Sequence, residues 1–189
     1  MKVLKIIVFI LMLLPLFLLI YYGVNDELSA DPIEYVLHYT GIWSLRILLL
    51  TMAMTPLRNI FNQVVFLKIR RMIGLFVFFY VSLHLLIYVG LDLGFRFGHL
   101  FEDIIKRPYI TVGFIAWLLL LPMAVTSNKR MIRKLGRKWK TLHKSIYIIT
   151  ILACLHFIWL VKSDLLEPLI YIVIAFVLLF YRLLRYSRS

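Results

Sequence analysis

The chain has 189 residues, 63% of them hydrophobic, and its mean hydropathy is +0.94. These values exclude an ordinary soluble domain and indicate one integral membrane domain over residues 1–189, with no fused nucleotide-binding domain. The formal net charge of +13 does not indicate nucleic-acid binding, because the charged residues divide by side of the membrane, as described below. The single cysteine, Cys154, excludes an internal disulfide and a cysteine-ligated iron–sulfur cluster.

Six apolar runs are long enough to cross a bilayer as helices, which takes about 17–25 residues each. The first run follows two lysines, as a signal peptide would, but no convincing cleavage site follows it, so we expect it to be retained. No internal repeat is evident in the sequence. The predicted fold class is all-α, a polytopic bundle of six transmembrane helices. The predicted spans cover residues 6–22, 35–55, 72–90, 109–125, 145–161 and 168–184.

The charged residues predict the orientation of this bundle. Lysines and arginines precede span one, separate spans two and three, separate spans four and five, and end the chain at Arg182, Arg185 and Arg188. All nine acidic residues fall in the connections on the opposite side. An excess of Lys and Arg marks the cytoplasmic side, so both termini are predicted to be cytoplasmic. The basic segment 128–144 is expected to attract anionic membrane lipid, and a flavin phosphate or an acidic reductase are the alternatives.

Two histidines lie at the same predicted depth inside apolar spans. His84 follows Arg71 by 13 residues, and His156 follows His143 by 13 residues, so both imidazoles lie roughly 20 Å from the cytoplasmic border at ~1.5 Å per residue. Two neutral imidazoles at one level on two helices suit the axial positions of a low-spin haem iron. The alternatives are an interhelical hydrogen bond, worth about 1 kcal/mol in a membrane, and a proton relay. Neither helix carries a buried carboxylate that would continue such a relay.

Three further residues are candidates for cofactor binding. Arg46 lies near the level of the two histidines, where it either pairs with a haem propionate or extends toward the outer headgroups. Arg71 stands where a fourth histidine would complete a second pair with His143. His143 is therefore expected to contact a flavin, a quinone or an inner haem with another second ligand, unless it is an interfacial histidine.

Several short motifs occur in the order typical of one bacterial family. They are Phe-Tyr-Val-Ser-Leu-His at residues 79–84, Lys-Arg-Pro-Tyr-Ile-Thr-Val-Gly at 106–113 and, most specifically, Thr-Pro-Leu-Arg at 55–58 and Leu-Gly-Arg-Lys-Trp-Lys-Thr-Leu-His at 135–143. From about residue 41 to 159 the chain resembles the MsrQ (YedZ) family. Members of that family are haem-binding membrane subunits of periplasmic methionine-sulfoxide reductase systems, within the ferric-reductase-like transmembrane group.

The resemblance implies a bacterial inner membrane protein that carries one or two b-type haems and FMN. It further implies electrons from the quinone pool, and a periplasmic molybdopterin-containing partner that reduces methionine sulfoxide in oxidised envelope proteins. His84, His143 and His156 match the family histidines, whereas Arg71 departs from the wider group and leaves the haem number open. The chain would then be an electron-transfer subunit rather than the catalytic one. The alternatives are a ferric reductase or NADPH-oxidase-like haem protein fed by a cytoplasmic flavin reductase, and a transporter or structural anchor without haem.

Overall fold

The computed structural model describes residues 1–161 and 164–186, and all regular structure in these two ranges is helical. Arg188, counted above among the basic residues that end the chain, lies outside the described residues. The helices are α1 (Lys2–Val24), α2 (Pro32–Phe61), α3 (Val65–Ile87, continued by a π-helical turn at Tyr88–Asp92), α4 (Phe97–Lys106), α5 (Pro108–Val125), α6 (Lys129–Leu135), α7 (Arg137–His143), α8 (Ser145–Leu160) and α9 (Leu166–Tyr186).

Six segments of the described chain are long and apolar enough to cross a membrane, so the predicted all-α bundle with six spans is confirmed. Their limits are Lys2–Val24, Pro32–Phe61, Val65–Asp92, Pro108–Val125, Arg137–Leu160 and Leu166–Arg185. All six segments extend beyond the predicted apolar runs at one end or both. In most of them the helix continues through charged residues at the membrane border. The orientation of the termini stays a prediction.

The second span shows how local chemistry sets the helix limits. The Asp31 carboxylate accepts a hydrogen bond from the Glu34 backbone N–H at 3.0 Å and caps the helix, which begins at Pro32. The helix continues past Pro56, which has no N–H to give to the carbonyl of Met52. The Arg182 guanidinium on α9 donates to that carbonyl at 3.1 Å, so a basic side chain replaces the missing helix bond.

The core of the bundle lies where α2 and α3 pack along each other and where α5 packs along α8. Fully buried side chains from three of these helices meet there, among them Met52, Ile73, Tyr80 and Ile149. Helices α1 and α9 lie at the periphery, and each exposes many large apolar side chains on its outer face. In a membrane these outer faces contact lipid, so a cofactor would lie on the inner side of α1 and α9, toward the four central helices.

Two connections contain helices that the apolar pattern does not predict. On the predicted outer side, α4 follows the π-helical turn, and its Asp103 carboxylate accepts a hydrogen bond from the Tyr88 hydroxyl and pairs with Arg107 at 3.0 Å. On the predicted inner side, α6 and α7 are short helices in the basic segment 128–144. Both connections are therefore folded against the ends of the central helices.

Candidate functional site

The structure brings His84 and His156 together between α3 and α8. Their ring centres are 6.2 Å apart and their planes are inclined by 83°. A metal–imidazole bond is about 2.0 Å long and the ring centre lies about 1 Å beyond the nitrogen, so two imidazoles on opposite sides of one metal ion have centres about 6 Å apart. The observed spacing therefore fits two axial ligands of a single iron.

Each of these imidazoles is held by a backbone carbonyl on the preceding span. His84 Nδ1 lies 3.0 Å from the Leu37 carbonyl oxygen, and His156 Nδ1 lies 2.7 Å from the Tyr109 carbonyl oxygen. Because a carbonyl only accepts hydrogen bonds, both Nδ1 atoms carry the proton, and both Nε2 atoms keep a lone pair for a metal. In histidines that bind a metal through one ring nitrogen, the N–H of the other nitrogen commonly donates to a backbone carbonyl.

The hydrogen bonds from His84 and His156 to these carbonyls are interhelical, as expected if the histidines had only a structural role. They occupy only one nitrogen of each ring, however. Among the described residues, no group of three or more His, Cys, Asp or Glu side chains is placed to hold a metal ion. A metal ion bound at His84 and His156 would therefore need its other ligands from a non-protein group. A porphyrin supplies four such nitrogens, so the donor set present here fits haem.

Arg46 faces α9. Its Nε donates to the Tyr171 hydroxyl at 2.7 Å, its Nη2 lies 3.9 Å from a Glu167 carboxylate oxygen, and its guanidinium lies over the Trp43 ring at 5.1 Å. The two charged side chains are 43% and 40% exposed, so this ion pair contributes little stability. Of the two roles considered for Arg46, these contacts favour extension toward outer polar groups. A propionate contact stays a prediction.

A second feature is a cavity of about 400 Å³ toward the inner ends of α3, α5, α8 and α9. We call it the inner cavity. Arg71 and His143 line it together, so the structure places both candidates in one space. Its other lining groups include four cationic side chains missed as site residues from the sequence, Arg70, Lys140, Lys144 and Arg182. No carboxylate is among the described residues that line it. Its apolar wall includes Gly74, Val77, Phe78, Leu120, Met123 and Ile146.

His143 has a fixed position in this cavity. Its ring stacks on Trp139 with centres 3.8 Å apart and planes inclined by 27°. Its Nδ1 lies 3.1 Å from the Trp139 carbonyl oxygen, and its Nε2 lies 3.5 Å from the Ser127 hydroxyl. His143 is half-buried and held by these contacts, whereas His99 on α4 is exposed. The inner cavity joins cationic groups and an imidazole to an apolar wall, which suits an amphiphilic or planar ligand with a negative charge.

The chain matches the family model described as "Ferric reductase like transmembrane component" over residues 40–154. A protein of Xanthomonas euvesicatoria pv. vesicatoria (strain 85-10) is 53% identical over 163 residues, which cover 86% of this chain and 75% of the relative. A protein of Bordetella pertussis is 45% identical over 169 residues, which cover 88% of this chain and 82% of the relative. Both relatives are named "Protein-methionine-sulfoxide reductase heme-binding subunit MsrQ". No solved structure matches the chain.

Proposed function

The chain belongs to the MsrQ family within the ferric-reductase-like transmembrane proteins, and on that premise we propose that it binds b-type haem between His84 and His156. We propose further that it is the electron-transfer subunit of a protein-methionine-sulfoxide reductase. The observation that carries the proposal is the pair of imidazoles on spans three and five, each hydrogen-bonded to a backbone carbonyl, with ring centres 6.2 Å apart. Relatives named as haem-binding subunits support the same conclusion.

The protein supplies ligand geometry and burial at this site, and bound haem would supply a one-electron carrier. Haem held by both His84 and His156 would have no coordination site left for oxygen, which would suit electron transfer rather than oxygen chemistry. The two imidazoles lie roughly 20 Å from the inner border of an apolar layer about 30 Å thick. This depth supports electron exit at the outer face, toward a periplasmic molybdopterin-containing subunit that repairs oxidised envelope proteins.

We place electron entry at the inner cavity. Its lining of Arg70, Arg71 and Arg182 suits the phosphate of FMN, and its apolar wall suits a flavin or quinol ring. His143 also offers one imidazole to an inner haem, so this cavity is where a second haem would be held. The electrons would come from the quinone pool of the bacterial inner membrane, with both chain termini in the cytoplasm.

The experiment measures reduction of the haem by a donor and its reoxidation by an acceptor, with purified, haem-loaded protein under anaerobic conditions. A reduced quinone analogue should reduce the haem, and addition of the molybdenum subunit with an oxidised-methionine protein should reoxidise it. His143→Ala should slow reduction by quinol while keeping the haem bound at His84 and His156. His99→Ala, which changes an exposed histidine on α4, should behave as the wild type. Haem that quinol cannot reduce would contradict the proposed donor, and reduced haem that the partner cannot reoxidise would contradict the proposed acceptor.

A second candidate function follows from the family match itself. A ferric reductase or NADPH-oxidase-like protein would take electrons from a cytoplasmic flavin reductase, which the basic segment 128–144 could dock. Reduction of the haem by NADPH with a flavin reductase, and not by quinol, would favour this function. A colourless protein from haem-supplemented cells would favour a transporter or a structural anchor instead.

A further inference from the structure

The same local arrangement holds both His84 and His156. It occurs twice in the described part of the chain, at an offset of 72 residues. In the helix pair α2 and α3, the Leu37 carbonyl accepts from the imidazole 47 residues later, and in the pair α5 and α8 the Tyr109 carbonyl does the same. One turn after each carbonyl comes a glycine, Gly41 or Gly113, that lies against the ring. We call each such set, a carbonyl and a glycine on one helix around an imidazole on the next, an imidazole cradle.

The glycine is a steric requirement of each cradle. A Cβ atom at Gly113 would lie 2.7 Å from His156 Nδ1, a distance that forces the ring or the helix to move. A Cβ atom at Gly41 would lie 3.2 Å from His84 Cε1, which is tight but not prohibitive. Gly23, on the peripheral helix α1, differs, because the nearest neighbour of a Cβ atom there would be Leu28 Cδ1 at 3.9 Å, an ordinary contact.

We propose that Gly41 and Gly113 are positioning residues that, with the carbonyls of Leu37 and Tyr109, hold the two imidazole planes nearly perpendicular. The inference rests on the proposed haem ligation by His84 and His156. Rotation of a histidine ring about its last side-chain bond is broad and soft, so the helix backbone alone does not fix the plane. The carbonyl fixes one ring nitrogen, and the bare glycine backbone lets the ring approach the helix at one angle. Two such cradles produce the observed 83° between the planes.

The angle has a measurable electronic consequence. In low-spin ferric haem, parallel imidazole planes separate the energies of the two iron d orbitals that overlap with the ligand π systems, which gives a rhombic electron paramagnetic resonance spectrum. Perpendicular planes keep these orbitals nearly equal in energy, which gives a highly anisotropic spectrum with one large g value. The cradles therefore predict the second type of spectrum for the haem held by His84 and His156.

The test uses the full chain, haem-loaded and purified in detergent, as wild type, Gly113→Ala, Gly41→Ala and the matched control Gly23→Ala. Haem per chain and the ferric resonance spectrum are measured, and helical circular dichroism confirms folding. We expect a highly anisotropic signal for wild type and Gly23→Ala. Gly113→Ala should lose most of its haem or shift the large g value, and Gly41→Ala should keep its haem with a smaller shift. Gly41→Ala still tests the cradle if Gly113→Ala fails to fold.

A rhombic wild-type spectrum would overturn the inference, and so would Gly41→Ala and Gly113→Ala proteins that match the wild type in haem content and spectrum. Either result would leave haem binding by the two histidines intact. Wild-type protein that binds no haem would instead overturn the proposed function, and the inference with it.

Discussion

The hydrogen bond between Arg182 and the Met52 carbonyl should couple energetically to Pro56. Pro56 leaves that carbonyl without its helix donor, and the Arg182 guanidinium, 3.1 Å away, is the donor that the structure shows instead. Replacement by Arg182→Met leaves a carbonyl unpaired inside the bundle. In the Pro56→Ala background the alanine restores a backbone N–H that can bond the same carbonyl. Arg182→Met should therefore lower the free energy of unfolding by less in that background than in the wild type.

The expected coupling energy follows from the charge of the Arg182 donor and from the position of the hydrogen bond inside a membrane bundle. Hydrogen bonds that involve a charged group contribute about 1.5–3 kcal/mol in soluble proteins, whereas interhelical bonds in membranes average about 0.6 and reach about 1.7 kcal/mol. For a charged donor and a carbonyl with no other partner in its own helix, we expect a coupling of about 1–2 kcal/mol. In a chain of this size that corresponds to roughly 2–8 °C in Tm.

The assay is a double-mutant cycle of Arg182→Met and Pro56→Ala, followed by thermal unfolding in detergent with helical circular dichroism. Arg185→Met is the matched control, because Arg185 is an exposed arginine on the same helix, and it should change stability by less than about 0.5 kcal/mol. The reasoning would be refuted if the changes in the free energy of unfolding caused by the two substitutions add within about 0.3 kcal/mol, since the effects of coupled groups are not additive.

Three further predictions concern the ends of the bundle. Glu167→Gln should change stability by less than about 1 kcal/mol, measured by unfolding, because the exposed Arg46–Glu167 pair is solvent-screened; a larger loss would show that the pair is effectively buried. On α4, the hydrogen bond from Lys106 holds the pKa of Glu102 below its ordinary value, so this pair persists at neutral pH and is lost as the pH falls through that lowered pKa. Lys106→Gln should raise the Glu102 pKa toward the ordinary carboxyl value in a carboxylate-labelled infrared titration, and an unchanged pKa would exclude the pair. Arg71→Gln should weaken binding of an anionic flavin, measured by fluorescence titration with FMN, several-fold without loss of haem; unchanged FMN affinity would remove the flavin phosphate from the inner cavity.

The sequence predicts the architecture well because apolar length and charge both follow the membrane. Six apolar runs become six helices, and equal spacing from the inner border brings His84 and His156 together. The helix limits are less predictable, because charged residues such as Arg58 end an apolar run without ending a helix. Short amphipathic helices such as α4 are not predicted from the length of an apolar run, since they have too few apolar residues in a row.

The details of the site depend on atoms that the sequence does not specify. The tethers at Leu37 and Tyr109 are backbone carbonyls, which every residue has, so no residue type identifies them. The two cradles share little beyond one glycine and one histidine each, which is why no repeat is evident in the sequence. The partner of Arg46 depends on which face of α2 is covered by α9, and the sequence pattern does not determine that face.

The most direct test of the central claim is haem per chain, together with the reduced-minus-oxidised visible spectrum, for wild type, His84→Ala, His156→Ala and His99→Ala. Ligation by the two histidines predicts a sharp low-spin b-type spectrum for wild type and His99→Ala. It predicts loss of that signal in both of the other variants while they remain folded in the membrane. Wild-type haem content and spectra in folded His84→Ala and His156→Ala would contradict the account.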